Sequence, residues 1–567
     1  MRGVGAALAF APLAFAALAF VTLAFAGCGG GNGGVGVGPS LPRLAVSGTK
    51  IVNAATGAPV TLRGFVFSAG VWYDVPAGSP NGDLANLQFM QSEADVQQIA
   101  GWGANLAILY LNYRWFDDPG GYAFIDQVAG WCRAHGVYLL PSLVIYPGGG
   151  QRGGQAFFDS PTLEAEAQQF WVDFVTRYKG HPEFAGYDLL NEPQGVSVDE
   201  IAAFQTALID AVRGVDPNAV VFVEPQWGDP TVLTRIDRPG LVYDPHVYLP
   251  LYFTSQLFPW MYGGAVPGDL HYPATDGSMV TNIVIPSEAW QVYDPSVPAG
   301  TYDWQTLTTS YTIPAGSDLA FVKLFSSGDV DATIYFDDIE ASVDGGAFTL
   351  IPNGSFETVN EVSSDANYWS SYVADAGTVT RTNEAAADGQ WSAKISGSNA
   401  WSDYTTHYGL DADNNSIFYL GTAAGVPVAG GTTLALRWRV KAENATAATD
   451  GLEVMFGEIQ KESYTAADLD ADLDRVLASN MAAFGAPILI GEFTPSLAGT
   501  RPDILDWASA LMSYANAHAI SWAYYLYRDD WTATRYLGLY NGPYGAPTDY
   551  GTADTDILAR VQAGLRQ

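Results

Sequence analysis

Apolar positions along the chain fall into two textures. In the first, short continuous apolar runs alternate with stretches in which apolar residues recur every three to four positions. The runs PVTLRGFVFS, NLAILYL (105–111), VYLLPSLVIY (137–146), FAGYDLLN (184–191), AVVFVEP (219–225) and LVYDPHVY (241–248) read as strands. Helical patterns precede four of them, around 94–101, through Trp131, and over 163–178 and 199–213, and a hairpin, GTKIVNAATGAP, opens the series. PILIGEF (487–493) and AISWAYYLY (519–527) add two strands, and 554–565 a last helix. Strands that are apolar throughout, alternating with helices, predict a parallel sheet covered on both faces. Eight of them predict an α/β fold closed into a (β/α)8 TIM barrel. The competing open, doubly wound sheet would carry a Gly-rich phosphate turn after an early strand, and LRGFVFSAG is not one.

The second texture separates the sixth and seventh strands by far more than one barrel unit of about 30 residues. Over 274–458 helical periodicity vanishes, and runs such as YTIPAG, LAFVKLF, ATIYFDDIEASV, TLALRWRVKA and LEVMF alternate with turns. That pattern predicts an all-β sandwich inserted in a barrel loop, between barrel segments 41–273 and 459–567. LIPNGSFE (350–357), DGQWSAKISG and GGTTLALRWRVKA resemble the opening half of carbohydrate-binding jelly rolls of the family 4 and 9 type. YDWQTLTTSYTIPAG and ATIYFDDIEA resemble the closing half, yet come first. The resemblance implies a circularly permuted jelly roll whose new termini meet at the splice points; two truncated modules are the less economical alternative.

Residues 1–28 stand apart. Arg2 precedes a repetitive apolar run that ends at Cys28, with small residues before the lone cysteine. This resembles a bacterial lipoprotein signal, although Phe25 fits its position less well than Leu would. Cleavage would leave Cys28 as a lipidated N-terminus, the only membrane attachment expected, on a Gly-rich linker over 29–40. An ordinary secretory signal or a retained anchor is the alternative. The expected location is the cell envelope or surface, or otherwise the medium. Cys132 is the other cysteine, so the exported protein forms no internal disulfide. With 567 residues, 48% hydrophobic, the chain has material for two cores. Its net charge of −35 opposes nucleic acid or any other polyanion as a partner.

Polar residues at the C-terminal ends of barrel strands share one mouth. Here they are Asn191 and Glu192, Glu224, His246 and Tyr248, Glu492, and Trp522. Two carboxylates from different strands at one mouth suit glycoside hydrolysis, in which one protonates the leaving oxygen and the other attacks the sugar or activates water. RYKGHPEFAGYDLLNEP, LVYDPHVYLPLYFTSQLFPW and GAPILIGEF together resemble glycoside hydrolase family 5, the cellulase-like retaining hydrolases, over 41–273 and 459–567.

The resemblance implies that Glu192 is the acid/base and Glu492 the nucleophile, with carboxyl groups about 5–5.5 Å apart. It implies that Asn191 holds the sugar 2-hydroxyl, that Tyr248 of the His246-x-Tyr248 pair donates to the nucleophile, and that Trp522 is an aromatic sugar platform. No catalytic cofactor is implied. Ile108 stands where the family has an Arg that donates to the nucleophile, Val144 where it usually has a His, and Arg114 is a candidate substitute. These departures leave open an impaired, carbohydrate-binding protein.

Each assignment has a structural alternative: a helix-capping carboxylate for Glu192 or Glu492, a core imidazole for His246, core packing for Trp522. Trp227 and Glu224, in VEPQWGD, are expected to line the cleft, with Glu224 not the catalyst. In the insert, Trp290, Trp304, Trp369, Trp391 and Trp401 are candidates for a sugar-binding face, of which core packing should leave one or two exposed. Asp337, Asp338 and Glu357 resemble the structural calcium site of such jelly rolls, with solvated acids as the alternative. The expectation is a monomeric endo-acting β-glycanase, β-1,4-glucan first, β-mannan or another β-glycan next. The insert either binds polysaccharide or only shapes the cleft.

Overall fold

Val, Leu, Ile and aromatic side chains fill both faces of each short barrel strand, so every strand needs a helix layer outside and a packed interior within. In the computed structural model the strands are β1 (Arg63–Phe67), β2 (Leu106–Asn112), β3 (Tyr138–Ile145), β4 (Tyr187–Asp188), β5 (Val221–Val223), β6 (Leu241–Tyr243), β7 (Leu489–Ile490) and β8 (Ser521–Tyr524). They form one parallel sheet in the order β7-β8-β1-β2-β3-β4-β5-β6. A parallel bridge from Tyr243 to Ile488 joins the two ends and closes the barrel. The structure describes residues 41–68, 71, 92–117, 119–148, 154–256, 270–327, 331–358, 366, 369–373, 377–397, 401–406, 425–446, 449–496, 501–529, 538–541 and 552–567. The signal and linker assigned to 1–40 lie outside them.

The ladders of β4 to β7 are two or three residues long, shorter than the apolar runs predict. Beyond these ladders the polar residues begin, with Asn191 and Glu192, Glu224, His246 and Glu492 each following its strand. Outside run helices Glu93–Trp102, Pro119–His135, Pro161–Tyr178, Val198–Val215, Arg501–Ala517 and Thr555–Leu565. Their starts follow local chemistry. Ser160 caps the third with Pro161 at its first position, and Ser197 forms a capping box with Glu200. No described helix is long and apolar enough to cross a membrane. Cys132 is a buried free thiol, pushed up in pKa by burial, and it packs as a small apolar side chain.

The insert is a sandwich of antiparallel sheets. One has the core order Gln291–Asp294, Asp450–Tyr464, Leu319–Ser327, Trp401–Thr405, Ser370–Val373; the other runs Gly300–Thr312, Thr433–Ala445, Thr333–Val343, Ser392–Ser396, Thr378–Thr382. Alternating burial along Thr433–Ala445 places Leu434, Leu436, Trp438 and Val440 in a core of its own. The insert enters along Ala274–Val284, which pairs with the last part of Asp450–Tyr464, from Val284 opposite Glu458 to Ala274 opposite Tyr464. Entry and exit are therefore neighbours. Ala274, Met279, Val280, Ile283 and Tyr464 of this ribbon belong to the barrel's core.

Two expectations about the insert change. Asp337, Asp338 and Glu357 are not among the described residues' groups whose ligand atoms all lie within 4.8 Å of one another. Asp337 Oδ2 accepts the N–H groups of Ala387 and Asp388, and Glu357 Oε1 accepts those of Gln390 and Trp391. The carboxylates thus satisfy a loop's backbone donors, which is why acids stand there. Nor do the tryptophans make one face. Trp369 is core, Trp290 packs against both cores, Trp304 is half-buried, and half-buried Trp391 lies under the Arg381 guanidinium at 3.6 Å. The Trp401 side chain lies outside the described residues.

Candidate active site

Four strand ends build the mouth. The chain leaves β4 through Asn191, Glu192 and Pro193, with Glu192 at φ 43°, in the left-handed region. That conformation costs of order 1–3 kcal/mol in a non-glycine residue and persists only where the surroundings impose it. They do so here: the Glu192 N–H donates to Glu224 Oε2 at 2.7 Å, from the end of β5. Asn191 Nδ2 donates to Glu224 Oε1 at 3.2 Å, and Tyr146 Oη donates to the Asn191 carbonyl at 2.9 Å.

Beyond β6 and β7, His246 and Glu492 form a parallel bridge, and the Val247 N–H donates to the Glu492 carbonyl. His246 Nδ1 lies 2.7 Å from Glu192 Oε1 and 3.6 Å from Glu492 Oε2; its Nε2 lies 3.3 Å from Glu224 Oε2. Tyr248 Oη donates to Glu492 Oε2 at 2.7 Å. The ligating atoms of Glu192, His246 and Glu492 all lie within 4.8 Å of one another. Two glycines give way for this packing. A Cβ at Gly228 (φ 67°) would sit 2.7 Å from the His246 ring, and one at Gly491 would sit 2.3 Å from Asp244 Oδ1.

Electrostatically the site is a buried imidazole among carboxylates. Burial opposes a charge on His246, but Glu224 and the contacts to Glu192 outweigh it and raise its pKa to about 10. Glu492, only 6% exposed, is pushed well above the usual carboxylate range by burial. Below it, in the barrel interior, Asp188 and Asp244 join Glu224 in a second cluster whose oxygens also lie within 4.8 Å. Burial, and then the Glu224 carboxylate, push Asp188 and Asp244 well above the carboxylate range. These are the two groups of three converging metal-ligand side chains among the described residues.

The structure brings Asn191, Glu192, His246, Tyr248 and Glu492 together. Half-buried Trp227 follows β5, its main-chain N–H donating to the Pro193 carbonyl. Trp522 does not join them. It is fully buried, its Nε1 donates to Asn516 in helix Arg501–Ala517, and it packs on Phe493. It therefore points outward into the helix layer, and the platform assignment fails. Tyr525, just past β8, lies nearer the mouth. Its ring is 6.3 Å from that of Tyr110, whose hydroxyl is 3.5 Å from Asn191 Nδ2. Ile108 and Val144 are buried apolar residues. Arg114 does not replace the missing cation: among the described residues the Glu492 side chain meets Tyr248 and His246. Glu224, left as a cleft-lining residue by the sequence, contacts three of the site's groups.

With this geometry in place, comparison with known proteins adds the lineage. Residues 55–290 match the family described as Cellulase (glycosyl hydrolase family 5). Over that segment the barrel is similar to glycosyl hydrolase family 5. Similar proteins include a β-xylosidase of Phanerodontia chrysosporium, 26% identical over 220 residues, covering 32% of this chain and 46% of the relative. Endoglucanase C of Acetivibrio thermocellus is 24% identical over 183 residues, covering 30% of this chain and 53% of the relative. The chain thus spans about half the length of these curated relatives. Among solved structures, a β-glucanase from Saccharophagus degradans in complex with cellotetraose is 22% identical, covers 37% of this chain and 62% of its own, and has a TM-score of 0.29.

Proposed function

We propose that the chain is an endo-acting β-glycanase that cleaves a β-linked polysaccharide with net retention, β-1,4-glucan first. The observation that carries this reading is the approach of Glu192 and Glu492, one oxygen of each lying within 4.8 Å of the other. So close an approach favours the retaining arrangement over the wider one that admits a water. In the first step a Glu492 oxygen attacks the anomeric carbon while Glu192 gives its proton to the departing glycosidic oxygen. In the second, Glu192 takes a proton from water as the water oxygen displaces Glu492 from the sugar. Asn191 holds the 2-hydroxyl, Tyr248 steadies the nucleophile, and Tyr525 replaces Trp522 as the aromatic beside the sugar. The carboxyl groups do this chemistry without a cofactor.

The names of the relatives favour glucan and keep xylan in view; β-mannan is the next member of the substrate panel. Released reducing ends from soluble β-glycans test the reading. Glu192→Gln and Glu492→Gln are each expected to lose at least about a hundredfold in kcat while still binding glycan. Proton NMR of the first product should show the β-anomer; an α-anomer formed first refutes retention.

One observation favours a second reading, a glycan-binding protein with impaired turnover: no guanidinium contacts buried Glu492 among the described residues. A wild type that binds the panel and releases no reducing ends establishes it. Lipid attachment at Cys28 belongs to the same proposal, and labelled palmitate incorporated by wild type but not by Cys28→Ala would support it. Monomeric state is tested by sedimentation.

A further inference from the structure

Glu224 is 3% exposed and emerges from β5, between the strand that carries Glu192 and the strand that carries His246. Both its oxygens are engaged by the site. Oε1 accepts from Asn191 Nδ2 at 3.2 Å; Oε2 accepts from the Glu192 N–H at 2.7 Å and lies 3.3 Å from His246 Nε2. We infer that Glu224 is a positioning residue for the reaction: one carboxylate sets the Asn191 amide, the Glu192 main chain and the His246 ring at once.

The chemistry of the imidazole makes this more than packing. His246 faces a glutamate oxygen from each nitrogen, Glu192 from Nδ1 and Glu224 from Nε2. Glu224 takes the Nε2–H, because a carboxylate whose oxygens already accept N–H donors has only acceptor capacity to offer. The second proton then lies on the 2.7 Å line between Nδ1 and Glu192 Oε1, the place from which a general acid draws it. Glu224 therefore fixes which ring nitrogen can exchange a proton with Glu192, and it does so without reaching the sugar. Other groups facing His246 are Glu492 at 3.6 Å from Nδ1 and the buried Asp244, whose pKa His246 lowers in part against burial. The strained φ of Glu192 has the same cause, since removing its acceptor frees the main chain to relax.

This inference rests on the double-displacement reading, and the test separates the two. Glu224→Gln in the full chain keeps the shape and removes the charge. It is expected to lower kcat on the hydrolysed glycan on the order of a hundredfold, with KM changed less than about threefold, because Asn191 and Glu192 act in the transition state. The basic limb of the kcat profile should move to lower pH by about one unit or more, as the proton shared by Glu192 and His246 is held less tightly. Substrate-free titration of 13C-labelled histidine by NMR should show His246 losing its proton at lower pH than in wild type, its signal identified by its absence in His246→Asn. If wild type hydrolyses nothing, the double-displacement reading fails, and the histidine titration still decides the role of Glu224. Glu224→Asp, which keeps the charge but shortens the reach, is the second variant where Glu224→Gln does not fold. It should hold the His246 titration closer to wild type while kcat still falls at least about tenfold. Unchanged kcat and an unchanged His246 titration in the folded variant overturn the inference.

Discussion

Removing the Tyr248 hydroxyl tests how Glu492, the nucleophile of the proposed reaction, is kept usable. Glu492 is buried and meets no guanidinium among the described residues, and burial favours its neutral form. The opposing contact is one O–H···O bond of 2.7 Å from Tyr248; His246 Nδ1, at 3.6 Å, is beyond hydrogen-bond length. A hydrogen bond to a charged acceptor contributes about 1.5–3 kcal/mol. At about 1.4 kcal/mol per pH unit, Tyr248→Phe should raise the proton affinity of Glu492 by about one to two pH units. Double displacement requires Glu492 ionised, so activity is lost as pH falls through its pKa, and the variant's acid limb must lie higher by that amount. At a pH one unit below the wild-type limb the variant should be slower by about 10- to 100-fold, and well above both limbs by much less. The assay is kcat/KM against pH on a soluble β-glucan, with melting temperature as a control, since half-buried Tyr248 leaves behind a gap of one oxygen. An acid limb that stays in place, or moves down, refutes the reasoning.

Other outcomes follow from the same contacts. Because the folded protein holds the Glu492 proton more tightly than the unfolded chain does, stability falls as pH rises from the ordinary Glu range through the raised pKa. Glu492→Gln should therefore melt higher than wild type above that window and lose its advantage below pH ~4, as read by calorimetry across pH. His246 contributes in the same sense. Its charged contacts stabilise fully below pH ~6.5 and are lost as pH passes about 10, so wild type should weaken there more steeply than His246→Asn. Trp522→Ala should destabilise by about 3–5 kcal/mol through its buried ring while leaving KM within about twofold, whereas a sugar platform would raise KM first. Excising the whole of 274–458 strips Met279, Val280 and Ile283 from the barrel core, at about 1.5–3 kcal/mol each. Replacing only 285–457 with a two-residue Asn-Gly turn, between the paired Val284 and Glu458, should give a folded barrel whose polysaccharide retention can be compared with the full chain.

The barrel was legible because its strands must be apolar on both faces, a demand few other architectures impose. The Asn191-Glu192-Pro193 and Gly491-Glu492-Phe493 stretches were legible because chemistry fixes residue types as well as their places. What the pattern could not carry was direction. In AISWAYYLY every residue from Trp522 onward is apolar, so no alternation says which ring faces helix and which faces mouth; Trp522 faces the helix layer and Tyr525 lies near Tyr110. The tryptophans of the insert show the same blindness. Glu224 was hidden differently. A single acid in VEPQWGD has no signature until the fold sets Asn191, Glu192 and His246 around it.

On the proposed reading, the apolar Ile108 and the carboxylate of Glu224 belong to one electrostatic arrangement. A guanidinium beside Glu492 would put a permanent cation at the mouth, and among the described residues the Glu492 side chain meets Tyr248 and His246 instead. The positive charge the described site holds is the imidazolium of His246, and it is reversible. Glu224 from below and Glu192 from the side sustain it; Glu492 lies too far off for a hydrogen bond and receives only its field. On the double-displacement reading, loss of the His246 proton would remove that field from Glu492. When Glu192 donates to the leaving oxygen the local negative charge rises by one, at the same moment that Glu492 gives up its charge to the anomeric carbon. A site wired in this way balances charge within each step with its own protons, where an Arg-bearing site relies on a fixed cation, and its activity should depend on pH more steeply than a single ionisation allows.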